Sequence, residues 1–268
     1  MKHGLVSTCL PAFLLLSCSA HPDPRLEREA EGLIHGKRTR AHSISVQELR
    51  AYAHAALLRT RRIQGYRCTV YKRERVHGEL GGTQKAKLEI RHEPFSVHIR
   101  FLEPASVAGE EAIYVAGQND GKILAHATGI LGWLGTVRLD PKGSRAMQGN
   151  RYPITEAGLL NLLERFVEVC DGDTVEHCTI GLQEGVLVDG RGCDRVALIE
   201  DRPAADPGFS RLLVLVDHDA GVLVHFELHA LGRHGGEVLI ERHTFTDLEL
   251  DPGLTDRDFD PDNPAYGY

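Results

Sequence analysis

The sequence predicts an α+β fold built on an antiparallel β-sheet, and three observations predict it. In Phe95-Ser96-Val97-His98-Ile99-Arg100-Phe101, the residues Phe95, Val97, Ile99 and Phe101 fall on one face and Ser96, His98 and Arg100 on the other. That is the period of two expected of a strand with one buried face. The run belongs to a meander from Leu88 to His126: Glu103-Pro104 interrupts it, Glu111 to Ala116 resumes it, Gln118-Asn119-Asp120-Gly121 turns it and Lys122 to His126 returns. Two segments with helical spacing flank the meander, and further strand-like runs follow the second.

The N-terminus reads as a sorting signal. Lys2 supplies a positive charge and Leu5 to Leu16 a mostly apolar stretch. As a helix this stretch is too short for a bilayer core of about 30 Å. The next residues, Leu15-Leu16-Ser17-Cys18, resemble a bacterial lipobox, which implies cleavage before Cys18 and diacylation of its thiol. Cleavage after Cys18-Ser19-Ala20 is the alternative, and it would release a free secreted protein. Ser19 after the acylated position implies sorting to the periplasmic face of the outer membrane. Residues 18–44 are polar, carry Pro22, Pro24, Gly32 and Gly36, and are expected to form a flexible tether.

The first helix starts at Ser45, which with Glu48 makes a capping box, and Val46, Leu49, Ala53, Ala56, Leu57 and Ile63 follow at helical spacing until Gly65. Tyr66 to His77 and Gln84 to His92 read as strands around Gly78 and Gly81-Gly82. After the meander comes the apolar, glycine-punctuated stretch Thr128 to Gly135. A second helix is expected from Thr155, with Leu159, Leu162, Leu163, Phe166 and Val169 on its apolar face. Strands are then expected over Val175–Leu182, Val186–Ile199, Leu212–Asp217, Val222–Leu231 and Glu237–Leu250. With no internal linker, residues 45–262 form one domain after a signal peptide at 1–17 and the tether at 18–44, and 263–268 are a tail.

Composition narrows the function. The formal charge is −7, and loss of residues 1–17 with Lys2 gives −8 (30 basic, 38 acidic). An acidic chain without a Lys/Arg cluster lacks the phosphate-neutralising charge of a nucleic-acid binder. No HExxH, GxSxG or GxGxxG occurs, so no catalytic residue and no cofactor is assigned. His225, Glu227 and His229 would project from one strand face and could share an ion. Val224, Phe226 and Leu228 take the opposite face, so the three polar residues are read as the wet side of an ordinary strand, and no metal is assigned. The ladder Asp256, Asp258, Asp260, Asp262 lacks the glycine and late glutamate of a calcium loop and is read as solvated. Cys68, Cys170, Cys178 and Cys193 are either disulfide partners in an unassigned pairing or small buried apolar residues. Ile130, Leu131, Trp133 and Leu134 would form either a protrusion that touches lipid or the closed mouth of the sheet.

Glu74-Arg75, Arg91, Pro94-Phe95-Ser96-Val97, Phe101, Pro104, Gly109, Glu111, Tyr114, Leu139-Asp140-Pro141, Asn150-Arg151 and Pro153-Ile154-Thr155 together resemble the bacterial DUF1571 family of domains of unknown function. That family is similar in outline to the lipoprotein-carrier (LolA/LolB-like) group. The resemblance implies a strongly curved antiparallel sheet, an incomplete barrel, with two or more helices on its concave side and a hydrophobic cavity between them. It assigns no catalytic residues. The expected protein is an envelope lipoprotein that takes a lipid or the acyl chains of a lipoprotein against Phe95, Val97, Ile99, Phe101, Ile130, Leu131, Trp133 and Leu134. The membrane is a partner through the anchor at Cys18. The competing expectation is a non-enzymatic scaffold or sensor for other envelope proteins, its cavity filled by its own side chains.

Overall fold

The computed structural model describes residues 22–36, 41–127, 135–201, 209–232 and 235–268. Its elements begin with α1 (Pro24–Gly32), β1 (Ile34–Gly36), β2 (His42–Ser43), α2 (Val46–Thr60), β3 (Gly65–Val76), β4 (Glu79–Leu80), β5 (Gln84–Arg91) and β6 (Ser96–Glu103). They continue with β7 (Glu111–Val115), β8 (Ile123–His126), β9 (Val137–Leu139), α3 (Leu159–Asp171), β10 (Cys178–Val188) and β11 (Arg191–Glu200). The chain then forms β12 (Arg211–Asp217), β13 (Leu223–Leu231) and β14 (Glu237–Leu250). All fourteen strands join one sheet in the order β1-β10-β11-β12-β13-β14-β3-β5-β6-β7-β8-β9, with β2 on β10 and β4 on β3. Every described pairing is antiparallel. The sheet is curved and open, since the order ends at β1 on one side and β9 on the other.

Helix α2 is capped as its sequence predicts: the Glu48 N–H donates to Ser45 Oγ at 3.2 Å and the Ser45 N–H to the Glu48 carboxylate at 2.7 Å. It buries Leu49, Ala53, Ala56 and Leu57 on the inner face of the sheet, beside α3. Helix α3 begins at Leu159, later than the expected Thr155. Ala157 is extended and Gly158 has φ +105, so Ile154–Glu156 remains an isolated 3-10 turn. The Leu159 N–H then donates to Tyr66 Oη at 2.9 Å, which ties the start of α3 to β3. Leu159, Leu162, Leu163 and Phe166 form its buried stripe. Among the described residues no helix is long and apolar enough to cross a membrane.

Three expectations are corrected. Described parts of the expected tether are structured: α1 starts at an Asp23 cap with Pro24 in its first turn and buries Leu26 and Ala30 against Tyr71. Tyr71 donates to Glu29 at 2.5 Å, Lys85 pairs with Glu29 at 2.7 Å, and Arg25 pairs with Glu103. Tyr71 and Lys85 point away from α2 and α3, so α1 covers the outer face of the sheet. The C-terminal residues are not a solvated tail either. Phe259 is buried, Tyr266 stacks on His98 with ring centroids 3.9 Å apart, and Asp258 pairs with Arg67 at 2.6 Å. This segment covers Ile113, Val115 and Leu124 on the outer face. Finally, β10 runs on to Val188 and turns at Asp189-Gly190, with φ of +50 and +77. A two-residue hairpin needs positive φ at both central positions, which Asp-Gly supplies. The residues 183–185, which separate the two strands expected there, form only a bulge between Gln183 and Val186.

None of Cys68, Cys170, Cys178 and Cys193 is in a disulfide. Burial pushes the Cys170 and Cys193 thiols up to about 12, and Cys68 is raised by the same cause. Thiols held protonated in this way are poor nucleophiles.

Candidate functional site

Where α2 and α3 leave the inner face of β3, β5, β6 and β14, a recess of about 120 Å³ remains. Its wall is apolar because the inward residues of adjacent strands are apolar in register: Leu88 faces Ile99, Ala86 faces Phe101 and Ile99 faces Ala112. Ile99, Phe101, Val70, Leu88, Ala112 and Ile123 line one side, and Ala157, Gly158 and Leu162 at the start of α3 line the other.

One end of the recess is charged. Strand β14 turns Glu241 and His243 inward at an interval of two, and β3 places Glu74 directly opposite Glu241 and Lys72 opposite His243. Glu74 Oε2 accepts the Arg151 N–H at 3.1 Å and lies 3.3 Å from Lys72 Nζ, which also donates to Asn150 at 2.5 Å. Glu241 Oε1 accepts the Tyr152 hydroxyl at 3.0 Å. The Arg165 guanidinium lies 3.6 Å from the centre of the Tyr152 ring. Burial alone would raise the Glu74 carboxyl, but Lys72, His243 and the Arg151 N–H hold it well below the usual carboxylate range. Burial would also raise Glu241, but His243 and Arg165 keep it below the ordinary value. For His243 burial acts downward, and the two carboxylates outweigh it and raise the imidazole.

Of the residues expected to contact a ligand, Ile99 and Phe101 line the recess. Val97 is fully buried in the core, and Phe95 lies beside it with its ring 6.4 Å from that of Tyr114, so both extend the wall without facing the opening. Ile130, Leu131, Trp133 and Leu134, together with Cys18, lie outside the described residues.

His225, Glu227 and His229 are not a wet strand face. His225 is 1% exposed and Glu227 8%. His225 Nδ1 meets Thr244 Oγ1 at 2.9 Å, Arg242 donates to Glu227 at 2.6 Å, and His229 lies 2.6 Å from the other Glu227 oxygen. Glu227 is thereby held in an ion-paired network on the outer face, which Arg242 joins to Glu31 of α1 at 3.6 Å.

Sequence reasoning missed the charged end. The pattern Glu241-Arg242-His243 was a usable signal, since it repeats the alternation noticed at His225 to His229. Glu74 joins it only through the pairing of β14 with β3, two strands remote in the chain.

A family model described as a protein of unknown function (DUF1571) matches residues 63–268. No curated protein matches the chain. Among solved structures, the chain is similar to the Mycobacterium tuberculosis lipoprotein LppX, at 16% identity and a TM-score of 0.44 over 79% of this chain and 99% of that one. It is also similar to a LolA superfamily protein from Nitrosomonas europaea, at 11% identity and a TM-score of 0.33 over 78% and 97%. A third similarity is to the Pseudomonas aeruginosa MucA/MucB complex, at 16% identity and a TM-score of 0.45, covering 80% of this chain and 60% of that one.

Proposed function

The chain belongs to the DUF1571 family of proteins of unknown function, and from that premise we propose that it binds a lipid, or the acyl chains of a lipoprotein, in the recess on the inner face of its sheet. The observation that carries this reading is a recess with one apolar wall and one charged end. An acyl chain against Ile99, Phe101 and Ile123 gains about 0.8 kcal/mol for each methylene removed from water. Lys72 and Arg165 offer donors to the polar head of the same molecule, which fixes its direction in the recess.

The protein acts, in this reading, in the cell envelope, held to the periplasmic face of the outer membrane by acyl chains on Cys18. Metabolic labelling with a radioactive fatty acid is expected to mark the wild type and not Cys18→Ala; equal labelling of both removes the anchor from the proposal.

The recess itself is tested by filling it. Ile99 is only partly buried, so Ile99→Trp adds volume to the recess rather than to the packed core. Titration with a fluorescent fatty-acid probe is expected to show saturable binding to the wild type, weakened by at least roughly tenfold in Ile99→Trp, a change of about 1.4 kcal/mol. Equal affinity in a variant that keeps its melting temperature would place the probe elsewhere and sink the proposal.

A further inference from the structure

We propose that Glu74 Oε1, Glu241 Oε2 and His243 Nε2 form a binding site for one divalent transition-metal ion, with zinc the best fit. This inference is independent of which ligand the recess takes.

Each carboxylate has one oxygen committed and one directed at a shared point. Glu74 Oε2 is taken by Lys72 and the Arg151 N–H, and Glu241 Oε1 by the Tyr152 hydroxyl. The remaining oxygens face the same imidazole nitrogen: His243 Nε2 lies 3.2 Å from Glu74 Oε1 and 3.4 Å from Glu241 Oε2. All three candidate ligand atoms lie within 4.8 Å of one another.

Hydrogen bonding alone leaves this arrangement incomplete. An imidazole nitrogen carries at most one N–H and cannot serve two carboxylates. Charge-assisted N–H···O bonds run at about 2.7–2.9 Å, shorter than either separation here. Glu241, with a side chain 1% exposed, keeps Oε2 buried without a hydrogen-bond partner, and His243 Nε2 is equally unpartnered. An unpaired polar atom in such surroundings is costly and calls for an explanation.

A metal ion satisfies all three atoms at once, because each offers it a lone pair. Bonds of about 2.0–2.2 Å to nitrogen and oxygen place the ligands of a tetrahedral zinc roughly 3.4 Å apart, close to the two observed separations. Two carboxylates balance the charge of a divalent ion, and mixed nitrogen and oxygen donors suit zinc better than calcium or magnesium, which prefer oxygen alone. Tyr152, Lys72 and the Arg151 N–H then act as the outer partners that orient ligating carboxylates. Glu74 and His243 also line the recess, which puts the site at its charged end.

The test is calorimetric titration of the chelator-treated protein with zinc chloride, paralleled by cobalt(II) absorption spectra. One ion per chain is expected, with the intense visible bands of tetrahedral cobalt. Glu241→Gln keeps the side-chain shape and is expected to weaken zinc by at least about 100-fold, and Tyr152→Phe by about tenfold. A wild type that takes up no stoichiometric ion overturns the site. So does a Glu241→Gln protein with a native circular dichroism spectrum and wild-type affinity, which would place the ion among other histidines.

Discussion

Gly158→Ala is expected to unfold the protein about 10 °C below the wild type, because this glycine combines a forbidden backbone with no room for a side chain. Its φ of +105 and ψ of 173 lie where L residues rarely go, a cost of about 1–3 kcal/mol. A Cβ there would sit 2.5 Å from Tyr66 Oη and 2.6 Å from Ile90 Cδ1. Both side chains are 1% exposed, so neither can step aside without disturbing the core. Overpacking of that kind costs a further ~1–3 kcal/mol. The displaced Tyr66 hydroxyl also loses the Leu159 N–H, an additional ~1 kcal/mol. In a domain of this size each kcal/mol lowers the melting temperature by about 2–4 °C. Gly185→Ala is the control: its φ is +74 and a Cβ there meets nothing within 4 Å, so only the backbone cost of ~1 kcal/mol remains. Similar melting temperatures for the two variants in a calorimetric scan would show that the contact with Tyr66 and Ile90 is not close. Because Ala157, Gly158 and Leu162 border the recess, Gly158→Ala is also expected to lose the fatty-acid probe.

The second large effect is an acid-driven loss of stability centred on His225. Burial pushes this imidazole down to about 3, against a partial upward pull from Glu227. Its Nδ1 faces Thr244 at 2.9 Å, and its Nε2 is buried 3.9 Å from Glu227 Oε2. In the unfolded chain the same group titrates near 6.5. Above about pH 6.5 neither state holds the extra proton, and the contribution is fully present. As pH falls from 6.5 toward 3 only the unfolded state takes up the proton, and stability falls by up to about 1.4 kcal/mol per pH unit. His98 and His243 are raised by flanking carboxylates and act with the opposite sign, so the wild type alone would show a mixture. The difference between wild type and His225→Gln in urea unfolding isolates the buried group. That difference is expected to be flat above pH 7 and to move in favour of the variant by several kcal/mol by pH 4. A difference independent of pH would mean that His225 is not held neutral in the fold.

Local patterns carried much of the fold. The alternation of Phe95 to Phe101, the Ser45–Glu48 box and the turn at Asn119-Asp120 each depend on residues a few positions apart, and each is found where the sequence puts it. Helix α1 was illegible because it is mostly charged; it buries only Leu26 and Ala30 and is held by ion pairs whose partners lie in β3 and β5. The C-terminal cover was hidden by its prolines and aspartates, although Phe259, Tyr266 and Tyr268 carried an aromatic signal. The site divides in the same way. Its apolar wall follows from strand periodicity. Its charged end depends on β14 crossing to pair with β3, which no local pattern records.

The central claim is that the recess between sheet and α3 takes a lipid, and native mass spectrometry followed by organic extraction tests it most directly. Mature protein purified from a bacterial envelope fraction is expected to carry one lipid-sized adduct that extraction releases, and Ile99→Trp prepared alongside it is expected to carry none. A wild type of bare polypeptide mass that also takes up nothing from phospholipid or fatty-acid vesicles would contradict the claim.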